Sequence, residues 1–170
     1  MNVTTEITTW NQAAAHAAKI IIFTMYKEGL RLKDLRDYLD KFILQSQGGQ
    51  LTARQAAMNW ANFGAIALSA GTAVKVFPSR QHRDFEVYEG MLAEVIIRKQ
   101  KDYGPDAITR FGTIGILVRT HDKVARLENL MAKNSKNPEN ESIQDNYMDL
   151  LGYAALGIIL ENKHFFLPIY

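Results

Sequence analysis

Acidic side chains recur at one-turn spacing near the start of the last helical segment. Glu141, Asp145 and Asp149 stand at positions i, i+4 and i+8, which places their side chains in one stripe along a helix. Like charges at this spacing repel by roughly a few tenths of a kcal/mol per pair. A bound cation would relieve that repulsion. The alternatives are a solvated acidic face near the helix N-terminus, where the helix dipole favours acids, and an ion pair between Asp149 and Lys123 or Arg126.

A second set of carboxylates lies in the segment from about 84 to 101. Glu86 and Glu89 are neighbours on the helix surface, and Glu94 follows about one turn beyond Glu89. Oxygen ligands from two facing helices suit Mg²⁺ or Mn²⁺ better than zinc. The alternative here is again a solvated helix face.

Basic side chains in the segment from about 116 to 133 are candidates for phosphate binding. Lys123 and Arg126 could meet phosphates, the lysine as a point charge and the arginine as a bidentate fork. Arg119 lies one turn before Lys123. Alternatively, Asp122 and Arg126 pair along the helix, which contributes little stability if the pair is exposed.

A turn follows the segment that ends near residue 101. The sequence Asp102-Tyr103-Gly104-Pro105 stops a helix. Tyr103 at this turn could stack on a base or a sugar at the mouth of a site. The alternative is a plain helix end with a packed tyrosine.

Several kinds of chemistry are excluded by residue type. The chain has no cysteine, which removes disulfides, thiolate catalysis and cysteine metal sites. Its four histidines are dispersed, so we expect no histidine metal site. No catalytic serine triad order and no glycine-rich phosphate loop is present. Residues 49–57 weakly resemble a helix-turn-helix, but only Arg54 and Gln55 suit base and phosphate contacts, so ordinary helical packing is preferred.

Composition predicts a soluble cytoplasmic protein. The chain has 170 residues, 47% of them hydrophobic, and a net charge of +2, so one domain with a sizeable core is possible and nothing demands a polyanionic partner. The N-terminus lacks the pattern of a signal peptide. The longest apolar stretch, residues 150–160, is shorter than the roughly 18 residues that a bilayer requires.

Helical periodicity runs through nearly the whole chain and predicts an all-α multi-helix bundle. Thr52 and Gln55 form a capping box at one helix start, and the many small residues after it predict close packing. Residues 74–77 resemble a strand but are interpreted as a linker, so the chain divides into an N-terminal helical region, 1–80, and a C-terminal helical domain, 81–170. The pattern predicts about six helices, at 10–28, 32–45, 52–71, 84–101, 116–133 and 141–162.

Three ordered motifs carry a family resemblance. They are Lys-x-x-Asp-Tyr-Gly at 99–104, the basic helix at 116–130 and Glu-Ser-Ile-x-Asp-x-x-x-Asp-Leu-x-x-Tyr-Ala at 141–154. This order resembles the nucleotide modification associated domain, type one, of phages and bacteria. That domain is in turn similar to the all-α nucleoside triphosphate pyrophosphatases of the MazG and dimeric dUTPase group. The resemblance covers roughly residues 84–162.

The resemblance implies an oligomeric helical bundle that binds a nucleotide, in which carboxylates on two helices hold Mg²⁺ (or Mn²⁺). Glu86-x-x-Glu89 matches the group's first acidic motif in part, whereas the second occurs only as Asp145-x-x-x-Asp149, on a later helix. Together with the residue patterns, the resemblance predicts that Mg²⁺ is bound by four carboxylates, those of Glu89, Glu94, Asp145 and Asp149. It predicts the nucleotide-binding set Lys99, Asp102, Tyr103, Asp122, Lys123 and Arg126.

The function that follows is nucleotide binding in phage or bacterial nucleotide metabolism or DNA modification, in the host cytoplasm if a phage encodes the chain. In this reading the activity is that of a Mg²⁺-dependent pyrophosphohydrolase, with metal-activated water and phosphate charge stabilised by Lys123 and Arg126. Two alternatives stay open. One is a non-catalytic helical phage protein that binds a host protein through residues 1–80, and the other is a helical nucleic-acid-binding protein.

Overall fold

The computed structural model describes residues 6–27, 34–73, 85–133 and 142–169, without the side chains of 85, 86, 88 and 103. These residues contain seven helices and no strand, which confirms the all-α multi-helix bundle. The strand-like run 74–77, Glu141, and the side chains of Glu86 and Tyr103 lie outside this description. The helices are α1 (Trp10–Lys27), α2 (Leu35–Gln47), α3 (Ala53–Ala73), α4 (Phe85–Tyr103), α5 (Asp106–Thr109), α6 (Gly112–Ala132) and α7 (Ile143–Glu161).

Reciprocal side-chain caps fix the starts of α1, where Thr9 and Gln12 exchange two hydrogen bonds, and of α3 and α7. At α3, Gln55 N–H donates to Thr52 Oγ1 at 3.1 Å and Thr52 N–H donates to Gln55 Oε1 at 3.0 Å, which confirms the predicted capping box. At α7, Asp145 N–H donates to Ser142 Oγ at 3.0 Å and Ser142 N–H donates to Asp145 Oδ2 at 3.2 Å. The carboxylate of Asp145 therefore satisfies a backbone amide that the helix itself leaves without a partner.

Helix α3 packs tightly against both α1 and α7 because small residues face each other there. A Cβ added at Gly64 would lie 3.0 Å from the side chain of Ile21 and 3.1 Å from Cβ of Ala154. A Cβ added at Gly157 would lie 2.4 Å from the ring of Trp60. The predicted close packing of this helix is confirmed, and it depends on positions where only hydrogen fits.

Residues from both predicted regions contribute to one core. Helix α1 packs on α4, and α3 packs on α7. The C-terminal tail joins this core: the rings of Trp10 and Phe165 meet edge to face at 4.9 Å, and Trp10 N–H donates to the carbonyl of Pro168 at 2.6 Å. Helices before residue 80 therefore support those after it, although the boundary itself lies outside the described residues.

No helix in the described part of the chain is long and apolar enough to cross a membrane.

Candidate functional site

A carboxylate held between two lysines joins three helices. Lys99 on α4 places Nζ 2.8 Å from Oδ1 of Asp149, and Lys123 on α6 places Nζ 2.9 Å from Oδ2. Asp149 itself belongs to α7. Only 16% of the Asp149 side chain and 12% of the Lys123 side chain are exposed, against 34% for Lys99. This group, the Asp149 triad, is therefore largely closed on the Lys123 side and open on the Lys99 side.

The charge state of the triad follows from the pKa of Asp149. Burial raises that pKa, but the hydrogen bonds and charges of Lys99 and Lys123 outweigh burial, so the pKa lies below its ordinary value. The carboxylate is ionised at neutral pH. With two ammonium groups against one carboxylate, the triad carries one net positive charge.

A small cavity lies beside the triad, and Lys99 belongs to both. Its volume is about 70 Å³, and α4, α5, α6 and α7 all contribute to its wall. Tyr153 stands one helical turn after Asp149 and lines the cavity, which explains how α7 serves both features. The lining residues are Lys99, Gln100, Ala107, Ile108, Arg119, Tyr153 and Leu156.

Arg119 gives the cavity a second cation. It is exposed, and it stands one turn before Lys123 on α6. Among the residues that the structure describes, Arg119 forms no ion pair. Its guanidinium is therefore available to an anion that enters beside Lys99, and it presents the planar fork that suits phosphate and carboxylate groups.

The structure joins only part of the predicted nucleotide-binding set. Lys99 lines the cavity, and Lys123 is linked to it through Asp149. Asp102, Asp122 and Arg126 are exposed and are not among the cavity's lining residues, while the side chain of Tyr103 is outside the described part of the chain. Helices α4, α6 and α7 meet at a lysine–aspartate–lysine cluster.

Six of the seven described lining residues were absent from that predicted set, and two of them, Arg119 and Tyr153, had a signal in the sequence. Arg119 is a helical neighbour of Lys123, and Tyr153 is a helical neighbour of Asp149. Each lies one helical turn from a residue that the sequence analysis had already selected, and that spacing was the signal in the sequence. Gln100 and Ile108 had no such signal, since their place depends on how α4 and α5 meet α6.

The predicted metal ligands do not come together as a cation site. Glu94 is exposed, Glu89 is half-buried, and the exposed Asp145 caps α7. Asp149 already has an ammonium group on each oxygen. Within the described ranges, no three His, Cys, Asp or Glu side chains form a group that could hold a metal ion.

The donors present therefore do not fit Mg²⁺ or Mn²⁺, and the metal set stays a prediction without support. The alternative predicted for Asp149, an ion pair with Lys123, is what the structure shows. An anion, rather than a cation, suits the charge at this point of the molecule.

A larger apolar groove lies on another face, between α1 and α3. Its volume is about 530 Å³, and Phe23 and Met58 in its wall are each 58% exposed. Arg54 and Lys27 are the basic residues of the same wall. Large exposed hydrophobic side chains of this kind are typical of protein-binding surfaces.

The fold and the site define an all-α bundle with a small basic cavity beside a buried, charge-paired carboxylate. No family model, no curated protein and no solved structure matches the chain. The resemblance to the nucleotide modification associated domain thus stays a prediction.

Proposed function

We propose that the chain binds a nucleotide by its phosphate group in the cavity between α4, α5, α6 and α7. Lys99 and Arg119 contact the phosphate, and Tyr153 contacts the sugar or base. One observation carries this assignment: a lysine held by Asp149 and an arginine with no ion-pair partner among the described residues line the same cavity. Among the described lining residues there are two cations and no carboxylate, which favours an anionic ligand.

Asp149 prepares Lys99 for this role. A lysine side chain is flexible, and ordering it on binding costs about 0.5–1.5 kcal/mol. Because Asp149 already holds the ammonium at 2.8 Å, part of that ordering exists before a ligand arrives. The ammonium has three donors, so it can keep Asp149 and still donate to a phosphate oxygen.

Arg119 and the apolar wall supply orientation. The guanidinium can donate two parallel hydrogen bonds to one phosphate group, which fixes its direction as well as its distance. Ile108, Leu156 and the ring of Tyr153 add apolar surface to the same lining, where a sugar or a base can pack. A few polar groups in an otherwise apolar cleft are typical of small-molecule sites.

Any Mg²⁺ would accompany the nucleotide, since this ion commonly binds through substrate phosphates. Lys99, Arg119 and Tyr153 bind and orient the ligand. No catalytic step is assigned to Glu89, Glu94, Asp145 or Asp149.

A panel of nucleoside mono- and triphosphates, with and without Mg²⁺, tests the proposal by thermal melting and calorimetry. Some member should raise the Tm, because a ligand that binds only the native state stabilises it by about 2.7 kcal/mol at a hundredfold excess over its Kd. Arg119→Gln should weaken that ligand by about tenfold or more, as expected for one charge-assisted hydrogen bond.

The matched control is Arg54→Gln, which removes an exposed arginine from the groove between α1 and α3. It should bind the ligand like the unaltered protein. If no nucleotide shifts the Tm, or if both variants bind equally well, the nucleotide does not occupy this cavity.

The second candidate function is binding of a protein partner, and the exposed Phe23 and Met58 of the α1–α3 groove favour it. Phe23→Ser would then abolish the chain's effect on that partner without changing nucleotide-dependent melting. If the Arg119 substitution removes the biological activity, nucleotide binding is the function. If the Phe23 substitution removes it, protein binding is the function.

A further inference from the structure

We infer that Gln100 selects the base of the bound nucleotide, by pairing its carboxamide with an edge of the base that has a hydrogen-bond donor next to an acceptor. The inference rests on the proposed function and adds the group that distinguishes one nucleotide from another. Lys99 and Arg119 contact the phosphate, which all nucleotides share, so they position the ligand without identifying it.

Gln100 occupies a position on α4 where an apolar residue is expected. Leu92, Ile96 and Gln100 are four residues apart, so their side chains form one row along the helix. Leu92 and Ile96 are 3% and 1% exposed and belong to the core, and Gln100 is only 8% exposed. A polar residue that is more than nine-tenths buried therefore ends an otherwise apolar row.

In the part of the chain that the structure describes, the carboxamide of Gln100 makes no hydrogen bond. Its backbone carbonyl accepts from the N–H of Gly104 at 2.9 Å, and that bond leaves the side chain unused. A buried amide without a partner costs free energy, because it has lost its hydrogen bonds to water. A methionine at this position would avoid that cost. A ligand therefore explains the polar side chain better than packing does.

The surroundings of Gln100 differ from those of other unpartnered polar groups. Ser69 Oγ and Asn146 Oδ1, for example, are completely enclosed by the protein. Gln100 instead lines the cavity between α4, α5, α6 and α7, together with Lys99 and Arg119. A nucleotide whose phosphate is bound in this cavity can therefore reach the carboxamide.

The carboxamide suits a nucleobase better than a sugar. Its oxygen accepts and its nitrogen donates, side by side in one plane. Nucleobases carry the complementary pair on their edges, as the amino group and the ring nitrogen N7 of adenine do, whereas sugar hydroxyls lack this planar arrangement. Ile108, Leu156 and the ring of Tyr153 belong to the same lining, and such apolar and aromatic surfaces pack on the face of a base.

Calorimetry on the full chain tests the inference. The probes are the nucleotide that most raises the Tm, its counterparts with the three other common bases, its analogue without the exocyclic amino or carbonyl group of the base, and ribose with the same phosphate chain but no base. We expect the preferred nucleotide to bind at least about tenfold more tightly than the analogue and the base-free ribose phosphate.

Two substitutions separate base recognition from phosphate binding. Gln100→Met keeps the length of the side chain and removes its hydrogen bonds, so the preferred nucleotide, its counterparts and its analogue should bind within about twofold of one another. Binding of the base-free ribose phosphate should not change. Arg119→Gln should instead weaken every probe, including the base-free one.

Gln47→Met is the matched control, because Gln47 is an exposed glutamine that lines a different cavity, between α2 and α6. It should leave the binding of every probe unchanged. Gln100→Met should melt at the same Tm as the unaltered chain or a higher one, because it removes an unpartnered amide from a buried position. A lower Tm would show that the carboxamide supports the fold and would overturn the inference.

Failure of the inference and failure of the proposed function give different results. If the analogue or the base-free ribose phosphate binds as tightly as the preferred nucleotide, or if the preference survives in Gln100→Met, Gln100 does not select the base. The proposed function still holds in that case when Arg119→Gln weakens the probes. If no probe binds, or if Arg119→Gln changes nothing, the proposed function is wrong and the inference fails with it.

Discussion

Lys123 and Asp149 meet at 2.9 Å across the contact between α6 and α7, and both side chains are mostly buried. This pair links the basic helix to the helix that was predicted to hold a metal. It makes Asp149 a structural partner first, because the second lysine, Lys99, occupies the other carboxylate oxygen. Stability measurements can therefore show whether Asp149 is an ion-pair partner of the two lysines or a metal ligand.

Asp149→Asn should destabilise the fold. The change leaves two lysines beside a neutral amide, and removal of one partner from a buried ion pair costs roughly 3–5 kcal/mol. Because Lys99 is one-third exposed, we expect a loss near the lower value, about 3 kcal/mol. Denaturant unfolding at pH 7 measures it.

Asp122→Asn is the matched control, since the side chain of Asp122 is 73% exposed. Its effect should stay within about 0.5 kcal/mol. An Asp149→Asn protein as stable as the unaltered chain, or more stable, would instead indicate a carboxylate under repulsion, as the metal hypothesis requires.

The stability difference between the unaltered chain and Asp149→Asn should shrink in acid. The folded pKa of Asp149 lies below its ordinary value because the lysine contacts outweigh burial. Its contribution is therefore fully present above the unfolded pKa of about 3.9 and is lost as the pH falls through the folded value. Unfolding free energies of both proteins between pH 7 and pH 2.5 measure this. A difference that stays constant across the whole range would contradict the triad.

His16 should make the fold less stable below neutral pH. Burial lowers its pKa, and the charges of His164 and Lys19 lower it further. A histidine with a lowered folded pKa binds its proton more readily when unfolded, so stability falls as the pH drops below the unfolded value of about 6.5. His16→Gln should flatten the change in unfolding free energy between pH 7.5 and pH 5.5. Equal slopes in the unaltered chain and in His16→Gln would contradict this assignment.

The features predicted correctly from the sequence are local ones. The cap at α3 needs only Thr52 and Gln55, three positions apart, and both hydrogen bonds form. The cap at α7 was missed because Asp145, rather than glutamate or glutamine, occupies the third position after Ser142. Asp145 was instead assigned to an acidic stripe because Glu141, Asp145 and Asp149 are four residues apart.

The triad could be predicted only in part. Lys123 was considered as a partner of Asp149, but Lys99 lies 50 residues before it in the sequence. No periodicity connects such residues, since the contact depends on how α4 packs against α7. That packing places Lys99 beside Asp149 and in the cavity wall with Arg119, so the site has more cations than carboxylates among its described residues.

Gly157→Ala should destabilise the bundle, and the neighbouring Gly152→Ala should not. Both glycines lie in α7, so alanine improves helix propensity by about 0.5–1 kcal/mol at either position. At Gly157 the new Cβ would lie 2.4 Å from the ring of Trp60, whereas at Gly152 it meets nothing within 4 Å. Trp60 cannot move away easily, because it packs edge to face on Phe42 at 4.7 Å within the core. Forcing a methyl group into such a contact costs typically about 1–3 kcal/mol, which exceeds the gain in propensity.

Thermal and denaturant unfolding of the two variants should therefore move in opposite directions from the unaltered chain. The mono- and triphosphate panel should still detect the cavity in Gly152→Ala, because Gly152 is not among its lining residues. If Gly157→Ala were as stable as Gly152→Ala, the close approach of α3 and α7 at Trp60 would be wrong. The position of Asp149 relative to Lys99 and Lys123 would then need to be determined again, since Asp149 and Gly157 lie on the same helix.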